Sequence, residues 1–381
     1  MIIGVPGEVS TNETRVPLTP ELGERYIEDG FDVVIASGAG DGAGWADSEY
    51  ESAGCTVVED REEVFERSDV ILRVQALGDP GESPRDYSEG QFVIGLFDPY
   101  ELGDETAELA ERNVTAFALE LMPRISRAQS MDALSSMASI GGYKSAIMAA
   151  ERLPKMFPMQ MTAAGTVRPA EVFVIGAGVA GLQAIATAER LGASVRGYDI
   201  RLEVKQEVES LGADFVELDL ETEGSGDDEG YAREMDDEFY RQQRKELTRV
   251  VSESDVVITT AAIPGRPAPE LVTTEMIEGM DRGSVIIDIS APSGGNCEPT
   301  RAGETVSCHG VSVIGPTNLP STVPRHASEL YANNVTNFLD TLLTDTNEIA
   351  IDTDDEIIDS TMLTHDGQIR NPHVEDGSDD E

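Results

Sequence analysis

Three glycines that follow a short apolar strand constrain the fold of this chain more than any other feature. Residues Glu171–Ile175 have the pattern of a buried strand, and they continue directly into Gly176, Ala177, Gly178, Val179, Ala180 and Gly181. Ahead of a helix, the first glycine of such a turn permits the tight bend, the second lets a pyrophosphate approach the backbone, and the third lets the helix pack closely on the strand. The segment therefore predicts a dinucleotide site at a helix N-terminus, and a glycine-rich turn without a ligand is the alternative.

The residues that end the next predicted strand bear on the choice of cofactor. Asp199 closes the strand Ser194–Tyr198, twenty-three residues after Gly176, and is followed by Ile200 and Arg201. The Asp199 carboxylate can accept hydrogen bonds from adenosine ribose hydroxyls, and it would repel a 2′-phosphate. Arg201 argues in the other direction, since an arginine there can bind such a phosphate. We expect NAD(H), with Asp199, Ile200 and Arg201 at the adenosine end.

Short apolar strands alternate with helical patterns along the rest of the chain. This alternation predicts parallel sheets covered by helices, and hence an α/β protein with two Rossmann-like, doubly wound domains that flank a cleft. We expect a discontinuous first domain of residues 1–134 and 336–381, and an NAD-binding domain of residues 135–335. The helix Ala327–Leu343 would return the chain to the first domain, where Glu348–Thr364 would add strands.

The charge is extreme, because 73 acidic residues face only 27 lysines and arginines and the formal net charge is −46. Such a surface is typical of a halophile, in which high salt screens repulsion and carboxylates hold water; a basic partner is the alternative. Nucleic acid is an unsuitable partner, since no basic patch would neutralise phosphate. Two polar stretches fall outside any core: residues 222–240 are expected to be a mobile loop, and residues 372–381 a disordered acidic tail.

No stretch of the sequence has the pattern of a membrane span or a metal site. The longest apolar run, Val172–Ala188, contains three glycines and Gln183, and a span needs about 20 apolar residues. The N-terminus lacks the basic region of a signal peptide. Cys55, Cys297 and Cys308 have no metal-ligand spacing, and we expect buried thiols of a reducing compartment. The protein is therefore expected in the cytoplasm, without direct insertion into a membrane.

A polar loop, Leu121–Ser136, lies between a strand-like run and the glycine fingerprint. It carries four side chains that together can form a hydrogen-bonded network around a carboxamide: Arg124, Gln129, Asp132 and Ser135. The alternative is a surface turn that caps a helix at Ser130 or Asp132.

The string MPRISRAQSMD within this loop closely resembles the loop that holds the nicotinamide in the NAD(H)-binding component, the α subunit, of proton-translocating NAD(P) transhydrogenases. The resemblance extends over nearly the whole chain, and its most specific further pieces are GVPGEVSTNETRVPLTP, FPMQMTAAGTV, GVAGLQAIATAERLGA, GYAREM, GGNC and IGPTNLPS. The family is related to alanine dehydrogenase.

The resemblance implies a role for each loop residue. Arg124 and Ser135 would hold the carboxamide, beside Leu134. Gln129 would steer the nicotinamide ring toward a second cofactor, and Asp132 would orient Arg124.

Other implied positions lie further along the chain. Gly230 and Tyr231 would belong to the mobile loop that closes over NAD(H). Gln243 and Ala262 would line the adenosine pocket, where Ala262 replaces a larger leucine and leaves a backbone contact as an alternative.

Alanine dehydrogenase chemistry needs a proton carrier that this sequence lacks in its first domain. The first lysine is Lys144 and the first histidine is His309. Phe97 and Arg73 stand where the dehydrogenase histidine and lysine are expected, so general acid–base catalysis has no obvious agent. Arg15, which grips the substrate carboxylate in the dehydrogenase, is present, with a salt bridge to the acidic surface as its structural interpretation.

The resemblance thus implies direct hydride transfer between NADH and NADP⁺ held by a partner subunit, coupled to protons by membrane-spanning subunits. We also expect a homodimer, peripheral on the inner face of the cell membrane. The alternatives are a stand-alone NAD-dependent alanine or amino-acid dehydrogenase and a non-catalytic NAD-binding module.

Overall fold

The computed structural model describes residues 1–78, 81–100, 103–218, 237–263 and 265–371. It confirms the α/β prediction. In chain order the strands are β1 (Ile2–Val5), β2 (Asp32–Ala36), β3 (Thr56–Val58), β4 (Val70–Gln75), β5 (Phe92–Leu96), β6 (Thr115–Ala118), β7 (Gln160–Thr162), β8 (Gly165–Val167), β9 (Glu171–Ile175), β10 (Ser194–Tyr198), β11 (Asp214–Phe215), β12 (Val256–Thr259), β13 (Val285–Asp288), β14 (Thr305–Cys308), β15 (Val311–Ile314), β16 (Met362–His365) and β17 (Gln368–Ile369).

The helices follow the same alternation. They are α1 (Pro20–Glu28), α2 (Asp47–Ser52), α3 (Arg61–Arg67), α4 (Asp104–Glu111), α5 (Ala133–Arg152), α6 (Val179–Arg190), α7 (Lys205–Ser210), α8 (Asp237–Ser252), α9 (Thr274–Glu278), α10 (Pro324–Leu342) and α11 (Glu356–Thr361). Short 3₁₀ helices include Leu119–Leu121 and Ser126–Met131.

Two compact units divide the chain. The first comprises Met1–Met137 and Pro320–Glu381, and the second comprises Ala138–Leu319. The first unit is discontinuous, but the chain returns to it at Pro320 and not at the expected residue 336. The reason is that α10 contributes along its whole length to the first unit, where Tyr331 donates to the carbonyl of Arg73.

The sheet of the first unit has the order β17-β16-β6-β5-β4-β1-β2-β3. Strands β1 to β6 pair in parallel, whereas β16 runs antiparallel to β6. The expectation that Glu348–Thr364 adds strands was wrong for most of that stretch. Asp355 accepts a hydrogen bond from the N–H of Ile357 at 2.9 Å and caps α11, so that only its last residues pair with β6.

The second unit contains the sheet β11-β10-β9-β12-β13-β15-β14, parallel except for β14. Apolar clusters cover both faces, which is why strands such as β9 and β12 are almost wholly buried. The strand order reverses between β9 and β12. In sheets of this type ligands bind beyond the carboxyl ends of the strands at this reversal, and GAGVAG follows β9.

The cysteines bear out the expectation of buried thiols only to a degree. Cys55 and Cys297 are buried, but Cys308 is half-buried near the edge of the second sheet. Burial raises the pKa of the Cys55 thiol to about 11.

A buried charge cluster joins the ends of β1 and β4. The guanidinium of Arg73 is fully buried and pairs with Glu8 at 3.0 Å and with Glu82. Glu8 also accepts from the backbone N–H groups of Val74 and Gln75. Arg73 therefore stands at the expected lysine position as a structural ion pair.

We predict that Arg73→Met lowers the free energy of unfolding by about 3–5 kcal/mol, because it leaves two glutamates buried without their cation. Urea unfolding followed by circular dichroism measures this loss. Arg85→Met is the matched control, since Arg85 pairs with Glu108 at the surface, and its midpoint should stay at the wild-type value. Equal effects from the two variants would contradict a structural role for the buried cluster.

Candidate functional site

The glycine turn after β9 has the stereochemistry that each glycine allows. Gly176 has a φ of +95°, and a Cβ there would lie 2.6 Å from Thr260 Oγ1. A Cβ on Gly181 would overlap the carbonyl oxygen of Gly176, so α6 can begin this close to the strand only with glycine. A Cβ on Gly178 would meet nothing within 4 Å. The space beside Gly178 is thus open toward solvent.

The N-terminus of α6 adds the electrostatics of an anion site. Gly178 is its N-cap residue, and both Gly178 and Val179 are exposed. The first N–H groups of a helix lack acceptors within the helix and carry the positive end of its dipole. A diphosphate at this position would need no basic side chain.

Asp199 lies beside this turn, and its carboxylate is already engaged. It accepts from the N–H of Ala177 at 2.7 Å and from the backbone N–H, Nε and Nη2 of Arg201, each at 2.9 Å. The bond to Asp199 is the main cause that raises the pKa of Arg201. A ribose hydroxyl at Asp199 would have to share or replace a bond to Arg201. Ile200, between them, is buried.

A buried tyrosine–glutamine pair lies after the next elements. Gln243 of α8 donates from Nε2 to the hydroxyl of Tyr198 at 2.8 Å, and burial raises the pKa of Tyr198 to about 12. The other amide atom of Gln243, Oε1, is buried without a hydrogen-bond partner among the described residues. Ala262, in the loop after β12, is exposed.

The structure adds two residues that the sequence argument missed. Asp288, fully buried at the end of β13, accepts hydrogen bonds from the hydroxyls or N–H groups of Thr259, Ser290, Asn296, Cys297 and Thr300. Asn296 in turn binds both the N–H and the carbonyl of Ala261, at 3.1 and 2.8 Å. Together they fix the loop that follows β12. The GGNC string was the available signal, because Gly294 and Gly295 both have a positive φ.

The polar loop of the first unit begins α5. The Asp132 carboxylate accepts from the N–H of Ser135 at 2.8 Å and from its hydroxyl at 2.5 Å, which is the arrangement of a helix N-cap. This geometry matches the capping alternative for Asp132. Arg124, Gln129 and Leu134 are exposed, so a ligand can reach them.

Three positions of dehydrogenase interest are closed in the first unit. Arg15 forms a buried fork with Glu13, at 2.8 and 2.6 Å, and Ser321 donates to the same glutamate. The expected salt bridge of Arg15 is therefore internal and not at the surface. Both residues line a cleft of about 280 Å³ within this unit. Phe97 is buried, as is Arg73.

Some predicted features lie outside the described residues. These are Gly230 and Tyr231, most of the expected mobile loop 222–240, and the tail 372–381. The last segment of that loop, residues 237–240, is helical and starts α8. Among the described residues, no helix is long and apolar enough to cross a membrane, and no group of acidic, cysteine or histidine residues could hold a metal ion.

Known proteins share this architecture. Residues 4–141 match the family described as Alanine dehydrogenase/PNT, N-terminal domain, and residues 145–372 match Alanine dehydrogenase/PNT, C-terminal domain. The chain is 42% identical to the first of the pieces that make up the NAD(P) transhydrogenase alpha subunit of Rhodospirillum rubrum, over 98% of each chain. It is 31% identical to an alanine dehydrogenase of Bacillus subtilis, over 88% of this chain and 84% of that one.

A solved structure of a transhydrogenase from Sinorhizobium meliloti has a TM-score of 0.87 to this structure at 41% identity, covering 97% of this chain and 100% of that one. The chain therefore belongs to the alanine dehydrogenase/PNT family, and its sequence is more similar to the R. rubrum transhydrogenase subunit than to the B. subtilis dehydrogenase.

Proposed function

We propose that this chain is the NAD(H)-binding subunit of a proton-translocating NAD(P)⁺ transhydrogenase. The observation that carries the proposal is the open space beside Gly178, at the exposed N-terminus of α6 and next to Asp199. A dinucleotide fits there with its diphosphate on the helix and its ribose at the carboxylate. The R. rubrum relative is named as a transhydrogenase subunit, and the match covers almost its full length.

The reaction would be hydride transfer from NADH to NADP⁺ held by a partner subunit. Bound NADH supplies the hydride, so the protein needs to position the nicotinamide and exclude water. No proton has to be moved by a side chain, which suits the buried Phe97 and the ion-paired Arg73. In this proposal Arg124 and Ser135 hold the carboxamide, Gln129 steers the ring, and the reacting carbons approach to about 3–3.5 Å.

The partners would be an NADP-binding subunit and membrane-spanning subunits that couple hydride transfer to protons. The R. rubrum relative is named as one piece of an alpha subunit, and hence as one piece of a larger enzyme. We propose that this chain is cytoplasmic and associates with the inner face of the cell membrane through those partners. An amino-acid dehydrogenase is less well supported, because the first unit has no proton carrier at Phe97 or Arg73.

A second copy of the chain is a further proposed partner, with the β7–β8 hairpin as the contact. Met159, Met161 and Val167 are 60%, 73% and 48% exposed there. Residues 152–170 contain three basic residues and no acid, whereas the whole chain carries a charge of −46. An apolar, acid-free hairpin is thus the segment that can approach another acidic copy without repulsion.

A pair of glycine variants tests the nucleotide site. Gly178→Ala should leave the unfolding midpoint unchanged, because a Cβ there meets nothing, yet weaken NADH binding about tenfold or more by obstructing the diphosphate. Gly181→Ala should instead lower the free energy of unfolding by about 1–3 kcal/mol through overpacking against Gly176. NADH fluorescence titration and thermal unfolding separate the two effects. Wild-type affinity in Gly178→Ala would place the diphosphate elsewhere.

The Gln129 role is tested by hydride transfer. Gln129→Asn withdraws the amide by one methylene, and a misplacement of about 1 Å costs on the order of 100-fold in rate. We expect slow transfer from NADH to NADP⁺ on the added partner subunit, with NADH affinity nearly unchanged because Gln129 is exposed and not buried in a core. Gln206→Asn, an exposed position of α7, is the matched control. A normal rate in Gln129→Asn would reduce the loop to a helix cap.

The hairpin contact predicts that Met161→Asp converts a dimer into a monomer, because a charge at the centre of the interface cannot be buried without a partner. Sedimentation velocity over a range of protein concentrations measures the change. Leu330→Asp, at another exposed apolar position, should leave the dimer intact. A wild-type chain that stays monomeric at every concentration refutes this contact.

A further inference from the structure

The segment of the chain that returns to the first unit holds the polar loop from behind. Asn334 donates from Nδ2 to the carbonyl of Ser130 at 2.9 Å, and Asn337 donates to the same carbonyl at 3.1 Å. A carbonyl oxygen has two lone pairs, so this pair of donors fills its capacity. Ser130 directly follows Gln129 in the chain. The backbone on one side of Gln129 is thus fixed by α10.

The two asparagines act from one face of α10. They are three residues apart, a spacing that places side chains side by side on a helix. Asn334 is buried, and its Oδ1 has no hydrogen-bond partner among the described residues. A buried amide with one unsatisfied atom costs stability, so an apolar residue would serve a purely structural role better. What the amide provides in return is the bond to Ser130.

Further tethers restrain the same loop at other places. Arg127 binds the carboxylate of Asp355 through a fork, at 2.8 and 2.6 Å, and Asp355 caps α11. At the start of the loop, Glu120 accepts from the N–H groups of Phe97 and Asp98 at 2.7 and 2.6 Å. These bonds reach the loop from α11 and from the end of β5.

External tethers matter here because the loop has little rigidity of its own. Residues Ser126–Met131 form a 3₁₀ helix, whose internal hydrogen bonds are poorer than those of an α-helix. Its position therefore depends on the groups that hold it. The exposed side chain of Gln129 inherits that position, since the adjacent carbonyl is the one that is clamped.

We infer that Asn334 and Asn337 are positioning residues for hydride transfer, which set the placement of Gln129 by clamping the carbonyl of Ser130. The inference rests on the proposed function of the loop. Neither asparagine needs to touch a nucleotide, so their effect should appear in the rate of transfer and not in the affinity for NADH.

Asn337→Asp and Asn334→Asp test the inference, because each is nearly isosteric and replaces a donor with an acceptor that repels the carbonyl. Single-turnover transfer from NADH to NADP⁺ on the partner subunit should slow about 10- to 100-fold, with the Kd for NADH within a few-fold of wild type. Hydrogen exchange of residues 126–131 should become faster. Asn333→Asp is the control, since the amide of Asn333 is exposed and binds the carbonyl of Glu329 in its own helix.

The half-buried Asn337 keeps the test valid if Asn334→Asp fails to fold. Wild-type transfer and wild-type exchange in Asn337→Asp would overturn the inference. Faster exchange with an unchanged rate of transfer would also overturn it, because the clamp would then be structural alone. If the wild-type chain transfers no hydride at all while exchange still responds to Asn337→Asp, the proposed function fails and the clamp itself stands.

Discussion

The second unit depends on how closely a helix can approach the strand before it. The first turn of α6 lies against the carbonyl of Gly176, at a distance that admits no side chain on Gly181. A second close approach reinforces the first, since a Cβ on Gly142 of α5 would overlap the carbonyl of Ala180. Two glycines thus let α5 and β9 confine the same turn of α6. The exposed N–H groups that the turn presents have a fixed direction because of this confinement.

The sequence predicts features that arise from local stereochemistry or from periodicity. Strands such as Ile2–Val5 and Glu171–Ile175 have the bounds expected from the sequence, since short apolar runs between turns have few other solutions. Thr19 was correctly expected to cap α1 because the cap needs only residues a turn away. The end of the chain was harder, because a single carboxylate, Asp355, diverts much of an expected strand into a helix.

The candidate site divides along the same physical line. GAGVAG and Asp199 form one contiguous arrangement whose members are local, so the sequence located them. The bonds from Asn334 to Ser130, by contrast, connect residues 204 positions apart, and no periodicity announces such a pairing. The fork between Arg201 and Asp199 is local, yet both an open and a paired carboxylate are consistent with the sequence. Only the folded structure distinguishes the two.

The discontinuity of the first unit has a consequence for the order in which the protein is made. A ribosome completes residues 138–319 before it has synthesised α10, α11 or β16, so the second unit has all of its strands while the first still lacks an edge of its sheet. Ser130, Arg127 and β6 must wait for partners that emerge more than two hundred residues later. The nascent chain therefore owns a finished nucleotide-type fold well before the polar loop acquires its final anchorage.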